Sequence, residues 1–251
     1  MPLVLLGAFS FPSISHADLT SGLVGYWTLD GKDTNWRTGK TNDLSGQGNT
    51  GQLISMSTTT TPTLGKFGQA FKFNGASSFI SIGDVDTPNT MSVSIWLKVL
   101  GTGNQYVIGK QYTTSWMINT NGIQTSFWTD GVNTSIGGTG DGRWHHVVGT
   151  FENGNRRVYL DGVLKATDTG QTMGTDNVTL DIGRTGGSDI FFNGLLDDAR
   201  LYNRALSAAE VKQLYIQGIS KFSASPTTSL ISGLVGYWTL DGKDTNWRTG
   251  K

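Results

Sequence analysis

Trp144-His-His-Val-Val-Gly-Thr-Phe-Glu-Asn-Gly-Asn-Arg-Arg-Val-Tyr-Leu-Asp-Gly-Val-Leu-Lys165 carries two tight-turn signals nine residues or fewer apart. Asn153-Gly154 and Asp161-Gly162 are residue pairs that tolerate the positive φ of a two-residue hairpin loop. The segments around them, Trp144–Phe151, Arg157–Leu160 and Val163–Lys165, are rich in β-branched, aromatic and aliphatic residues. The stretch therefore predicts three consecutive antiparallel strands. Upstream, Met91-Ser-Val-Ser-Ile-Trp-Leu-Lys-Val99 alternates with period two, so Met91, Val93, Ile95, Leu97 and Val99 share one face. Tyr106–Gly109, Ser115–Ile118, Ile123–Trp128 and Val132–Ile136 continue at short spacing, and Val178–Ile182 and Phe191–Tyr202 follow downstream. Toward the N-terminus, Leu23–Leu29, Ala70–Phe73 and Phe79–Ile82 read as strands, the last two divided by the turn Asn74-Gly75-Ala76-Ser77-Ser78. Between Leu29 and Ala70 the sequence reads as a Gly/Asn/Thr-rich loop centred on Asp43–Asn49.

One helix is expected. Ser207-Ala-Ala-Glu210 is a capping box, Val211, Leu214 and Tyr215 fall on one stripe, and Gly218 is read as the terminator. Many short strands, no alternation of strands with helices and one late helix predict an all-β, two-sheet antiparallel sandwich with a short C-terminal helix. The 35 glycines among 251 residues fit a turn-rich chain of that kind. The formal net charge is zero and no basic run occurs, which argues against nucleic acid or an anionic membrane surface as partner. Cysteine is absent.

Ser21–Lys40 returns letter for letter at Ser232–Lys251, a period of 211 residues (232 − 21). A period this long is a repeated domain rather than a solenoid unit. The organisation expected is a signal peptide over 1–17, a domain over 20–218, a linker over 219–231 with Ser-Ala-Ser-Pro-Thr-Thr-Ser at its centre, and the start of a second, truncated copy over 232–251. Leu3–Phe9 form the apolar part of the leader, and Ser15-His16-Ala17 a small-x-small cleavage site before Asp18, although a basic n-region is missing. The apolar stretch is too short to span a bilayer, which needs about 20 residues. The protein is expected to be secreted or on a cell surface, with no membrane insertion and with other copies of the same domain as neighbours. Because Gly233–Leu240 repeats the first strand, the copy could displace that strand from its place.

Five blocks in order carry a family resemblance: Gly22–Asp30, Gly65–Gly75, Met91–Leu97, Trp144–Phe151 with Arg157–Val163, and Phe192–Ser207. They resemble a LamG-like, concanavalin A-like lectin/glucanase jelly-roll domain, over about Gly22 to Gly218. The resemblance implies two packed antiparallel sheets of about six or seven strands each, with the first and last strands close together. It also implies one structural Ca²⁺ on the sandwich rim, at Asp30, Asp197 and the Asn74/Gly75 carbonyls, with oxygen-only ligands that suit a hard cation. The plainer alternative is that Asp197 caps local amides or pairs with Arg200.

The same fold houses glycosidases, whose chemistry needs two carboxylates about 5–5.5 Å apart for retention. The chain has two Glu in all, Glu152 beside the Asn153-Gly154 turn and Glu210 in the capping box. Neither forms such a pair, and neither do Asp84/Asp86 or Asp197/Asp198, so no enzyme is expected. His145 and His146 are adjacent on a strand and point to opposite faces, which rules out joint metal ligation. Sugar recognition instead needs aromatic platforms. Of eight Trp, Trp27 and its copy Trp238 are assigned to cores, Trp36 lies near a loop, and Trp96, Trp116 and Trp128 are the glycan candidates. The function expected is a non-catalytic extracellular recognition or adhesion module, binding carbohydrate or a cell-surface protein. The alternative is an accessory domain of a polysaccharide-degrading enzyme.

Overall fold

The structure is a computed structural model, and it describes residues 18–220 apart from 87, 88 and 112. The expected signal peptide and the expected second copy lie outside the described residues. The strands are β1 (Leu23–Trp27), β2 (Thr34–Asn35), β3 (Lys40–Thr41), β4 (Gly51–Ile54), β5 (Pro62–Leu64), β6 (Gln69–Asn74), β7 (Phe79–Gly83), β8 (Thr90–Val99) and β9 (Gln105–Gly109). They continue with β10 (Trp116–Thr120), β11 (Gln124–Thr129), β12 (Val132–Gly137), β13 (His145–Glu152), β14 (Asn155–Leu160), β15 (Val163–Asp168), β16 (Leu180–Ile182) and β17 (Asn193–Tyr202), and helix α1 spans Ala208–Ser220. One sheet runs β15-β14-β13-β8-β17-β6-β5, with β1 also on β17, and the other runs β12-β11-β10-β9-β16-β7-β4-β3-β2. Strand pairing is antiparallel throughout both.

The two predicted hairpins form in register. Glu152 pairs with Asn155 and Leu160 with Val163, with Asn153 and Asp161 at φ 49° and 52° ahead of left-handed Gly154 and Gly162. The inward face of β8 (Met91, Val93, Ile95, Leu97, Val99) meets Val147, Phe151 and Val158 of its own sheet and Val107, Ile118, Phe127 and Ile182 of the opposing sheet in one core. The strip from Asp30 to Gln69 is not a simple loop: β2 to β5 lie there, each two to four residues long. Such short pieces carry no periodicity, and they exist because β7 and β6 offer open edges to pair with.

The opposite face of β8, with Ser92, Ser94 and Trp96, is buried as well. Helix α1 covers it. Glu210 N–H donates to Ser207 Oγ at 3.3 Å and Ser207 N–H donates to Glu210 Oε2 at 2.7 Å, so the capping box opens the helix as expected. Gly218, however, does not end it. A Cβ at Gly218 would stand 2.2 Å from Trp96 Cζ2, so the glycine is there to let the helix backbone lie on the indole. Arg156 is a buried charge that sequence patterning gives no sign of. Its guanidinium donates to Thr134, Thr129, the Val132 carbonyl and Asp168, and so joins β14 to the far sheet's edge hairpin.

Candidate functional site

Trp96 and Trp116 do not offer their rings to solvent, being 2% and 0% exposed. Trp96 stacks on Tyr215 of α1 at 5.7 Å and on His146 at 5.0 Å, with Phe67 edge-on at 6.0 Å. Trp116 belongs to the core between the sheets. Neither can be a sugar platform, because alternation along a strand does not say what a distant element lays over each face. Trp128 is half-buried and lies across from Met117 and Asn133 on the outward face of β11.

A line of amides runs from Trp128. Its indole Nε1–H donates to Asn119 Oδ1 at 2.8 Å, and Asn119 Nδ2 donates to Asn104 Oδ1 at 2.9 Å. Beside it, Ser126 and Ser135 hydroxyls bond across the β11–β12 ladder at 2.7 Å. Asn104 lines a cleft of about 540 Å³ at the sandwich rim, together with Gly75, Gly101, Gln105, Asp189, Phe191 and Asn193. The cleft floor is fixed: Gln105 Oε1 accepts from Asn193 N–H at 2.8 Å, and Leu100 and Gly101 N–H groups both donate to Asn193 O at 3.0 Å. Gly75 (φ +72°) and Gly101 are glycines of necessity, since a Cβ on either would sit 2.8 or 2.7 Å from Asn193 Cβ. This size falls within the range of small-ligand sites. Its chemistry is amide, hydroxyl and aromatic, with Asp189 as the carboxylate among the lining residues. That set can hydrogen-bond a polyol but offers no acid–nucleophile pair.

The three residues expected to hold calcium are not together. Gly75 follows the end of β6, against the start of β17, its N–H donating to Phe192 O at 2.9 Å, in the Asn104 cleft. Asp197 lies four residues further along β17, where the strand exchanges β6 for β1 as its neighbour. The motif block Gly65–Gly75 does contribute here, but through its first residues. Phe67 N–H donates to Asp197 Oδ2 at 2.8 Å, and Gln69 N–H donates to Asp30 Oδ1 at 2.6 Å, so one turn laces both carboxylates. Asp197 Oδ1 is buried and without a hydrogen-bond partner. Burial, more than the nearby charges of Asp198 and Asp30, pushes its carboxyl up to about 8. Arg200 pairs with Asp198 at 2.8 Å, not with Asp197. Among the described residues, no three His, Cys, Asp or Glu side chains cluster as a metal-binding group.

A family model of the concanavalin A-like lectin/glucanases superfamily matches residues 74–212. The chain belongs to this superfamily. Among solved structures, this concanavalin A-like chain is similar to domain 4 of AbnA, a GH43 extracellular arabinanase from Geobacillus stearothermophilus, in complex with arabinotriose. The match has 24% identity and a TM-score of 0.58, and covers 78% of this chain and 98% of that one. It is also similar to the receptor binding domain of botulinum neurotoxin C/D mosaic serotype (14% identity, TM-score 0.61, 79% of this chain and 52% of that one). The binding domain of botulinum neurotoxin DC in complex with SialylT matches likewise (14% identity, TM-score 0.59, 79% and 52%). The match therefore spans about half the length of the toxin domains. At these identities the likeness establishes the shared jelly-roll fold. No curated protein sequence matches the chain. No helix among the described residues is long and apolar enough to cross a membrane.

The adjacent histidines of this concanavalin A-like domain do point apart, into opposite electrostatic settings. His145 lies between Asp161 (2.8 Å) and Asp141 (3.0 Å), whose carboxylates raise its pKa. His146 is buried against Trp96 and bonded to Ser94 Oγ at 2.8 Å, and burial lowers its pKa to about 3. The signs are opposite. His145 stabilises the fold below the unfolded value of about 6.5, and that contribution fades as pH rises through its higher folded value. His146 refuses a proton that the unfolded chain accepts, so its contribution is lost as pH falls from about 6.5 toward 3. His145→Gln is expected to lower Tm more at pH 5.5 than at pH 8, whereas His146→Phe compares better with the parent at pH 5.5 than at pH 8. Thermal melts of both variants at the two pH values check this, and parallel shifts would contradict it.

Proposed function

We propose that this domain is a non-catalytic carbohydrate-recognition module, gripping an oligosaccharide from the Gln105–Asn193 cleft to Trp128. The observation that carries the reading is the continuous amide line Trp128–Asn119–Asn104, which opens into a cleft floored by backbone and side-chain amides. Sugars present rings of hydroxyls over apolar C–H faces, which amides and an indole complement. Two similar folds support it, one in complex with arabinotriose and another with SialylT. A further toxin domain is in complex with rat synaptotagmin II, so protein recognition on this fold has a precedent. We place the protein outside the cell, on a surface or secreted. The likeness to an arabinanase's fourth domain favours, as second reading, an accessory domain serving a polysaccharide-degrading enzyme.

Titration calorimetry against arabino-, xylo- and sialyl-oligosaccharides tests the proposal. At least one should bind with a Kd below about 1 mM, corresponding to about −4 kcal/mol. Trp128→Ala should weaken that binding at least about tenfold, or about 1.4 kcal/mol, and no sugar should be hydrolysed. A folded protein silent to the whole panel would overturn the reading.

The turn Gly65–Gln69 also suits a calcium ion. A buried carboxylate oxygen without a partner, facing a loop that binds a second carboxylate, is what a hard cation would satisfy. Asp197 and Asp30 would hold it, without Gly75. Its role would be structural, clamping β17 and the chain after β1 to the β5–β6 turn.

A further inference from the structure

β1 is held almost wholly by residues outside the duplicated stretch. Its ladder is to β17 alone, Leu23 opposite Tyr202, Tyr26 opposite Arg200 and Trp27 opposite Ala199. Its other edge is sealed by the loop after β3. Leu44 N–H donates to Tyr26 O at 2.8 Å, Tyr26 N–H to Asp43 Oδ1 at 2.9 Å, and Asn49 Nδ2 to Val24 O at 2.8 Å. Trp27 is the anchor, fully buried, with its Nε1–H on Asn49 O at 2.8 Å. Gly25 must be glycine, since a Cβ would lie 2.2 Å from the Trp27 ring. Every one of these donor residues recurs 211 positions on, as Leu234, Val235, Gly236, Tyr237 and Trp238. The receptor residues Asp43, Asn49 and Ala199–Tyr202 do not recur among residues 232–251.

We infer that the slot beside β17 is a strand-exchange joint, in which Leu234–Trp238 of the same chain replaces Leu23–Trp27. The contacts available to either strand are identical, so the choice depends on the cost of closing each connection, which varies only slowly with length. Residues 221–231 are eleven, able to span roughly 36–40 Å when extended. Near the end of α1, Gly218 lies on Trp96, whose strand partner Asp197 is two residues from Ala199, the partner of Trp27, so a segment of that span reaches the slot. Exchange needs β1 to leave first; it lies off the main sheet path with a single strand partner, and its release withdraws Trp27 from the core. The same joint would let neighbouring units of a tandem array interlock.

The test uses the full chain with Trp27→Ala, Trp238→Ala and both together. Loss of a buried Trp from the slot is expected to lower Tm by about 6–20 °C in the double variant. Because Trp238 can refill the slot, Trp27→Ala alone should lose less than half of that, and Trp238→Ala alone almost nothing. A Trp27→Ala loss equal to that of the double variant would overturn the exchange, and so would a Trp27→Ala chain that fails to fold. Neither result bears on carbohydrate binding.

Discussion

Trp96→Ala is expected to cost about 3–5 kcal/mol, the range for removing a large buried aromatic, and to lower Tm by about 6–20 °C. The indole is 2% exposed and is the meeting point of three elements: β8 that bears it, β13 through His146, and α1 through Tyr215 and Gly218. Its removal leaves a cavity, and α1 loses the surface its backbone rests on. Lys66, whose ammonium sits 4.7 Å from the ring centroid, loses a cation–π partner too. Trp96→Phe should fall between, since a smaller ring keeps part of the stack. Thermal denaturation followed by circular dichroism checks the series. A Trp96→Ala protein with unchanged Tm and lost sugar binding would return Trp96 to the role of a platform.

Calcium should stabilise the parent protein by about 2.7 kcal/mol when present at a hundred times its Kd, a Tm rise of about 5–11 °C for a domain of this size. The pH dependence identifies the ligand. In the calcium-free protein Asp197 keeps its proton up to about pH 8, whereas in the unfolded chain it ionises near the ordinary value of 3.8. The native state therefore holds more protons between those values, and stability falls as pH rises across that window. Calcium must displace that proton, so its effect should grow from pH 6 to pH 9. Asp197→Asn mimics the protonated carboxyl. It should make the calcium-free protein more stable than the parent at pH 7, as stable as the parent is at acid pH, and remove both the pH slope and the calcium response. Asp30→Asn should weaken the response, while Asn74→Ala should leave it alone. An Asp197→Asn protein that still gains the full calcium shift would sink this assignment.

The frame of the molecule was legible wherever local chemistry and pairing agree. Asn153-Gly154 and Asp161-Gly162 fix two turns, the turns fix the registers, and the alternation of β8 fixes which side meets the core. The capping box was equally local. What stayed hidden depended on partners distant in sequence. The strands β2 to β5 are too short to show a period and are made by the edges they join. Gly218 reads as a terminator because a helix-ending glycine and a close-packing glycine look alike until Trp96 is found beneath it. Trp96 itself sits among Ser92, Ser94 and Lys98, a pattern that describes a wet face, and it is dried by Phe67 from the β5–β6 turn and by α1, more than a hundred residues on. That the Gly65–Gly75 block lies by Asp30 and Asp197 was legible through the family blocks. The separation of Gly75 from them was not, because that single block serves both the carboxylates and the Asn104 cleft from opposite ends.

The central claim, that an oligosaccharide lies between Trp128 and the Gln105–Asn193 cleft, is tested most directly by a ¹H–¹⁵N correlation titration of the intact chain. With the tightest-binding sugar of the panel, the indole N–H of Trp128 and the side-chain amides of Asn104, Asn119 and Gln105 should shift together and saturate with one Kd. The indole N–H groups of Trp96 and Trp116 should stay in place. Saturable shifts confined to α1 and β15, with the Trp128 indole unmoved, would contradict the account.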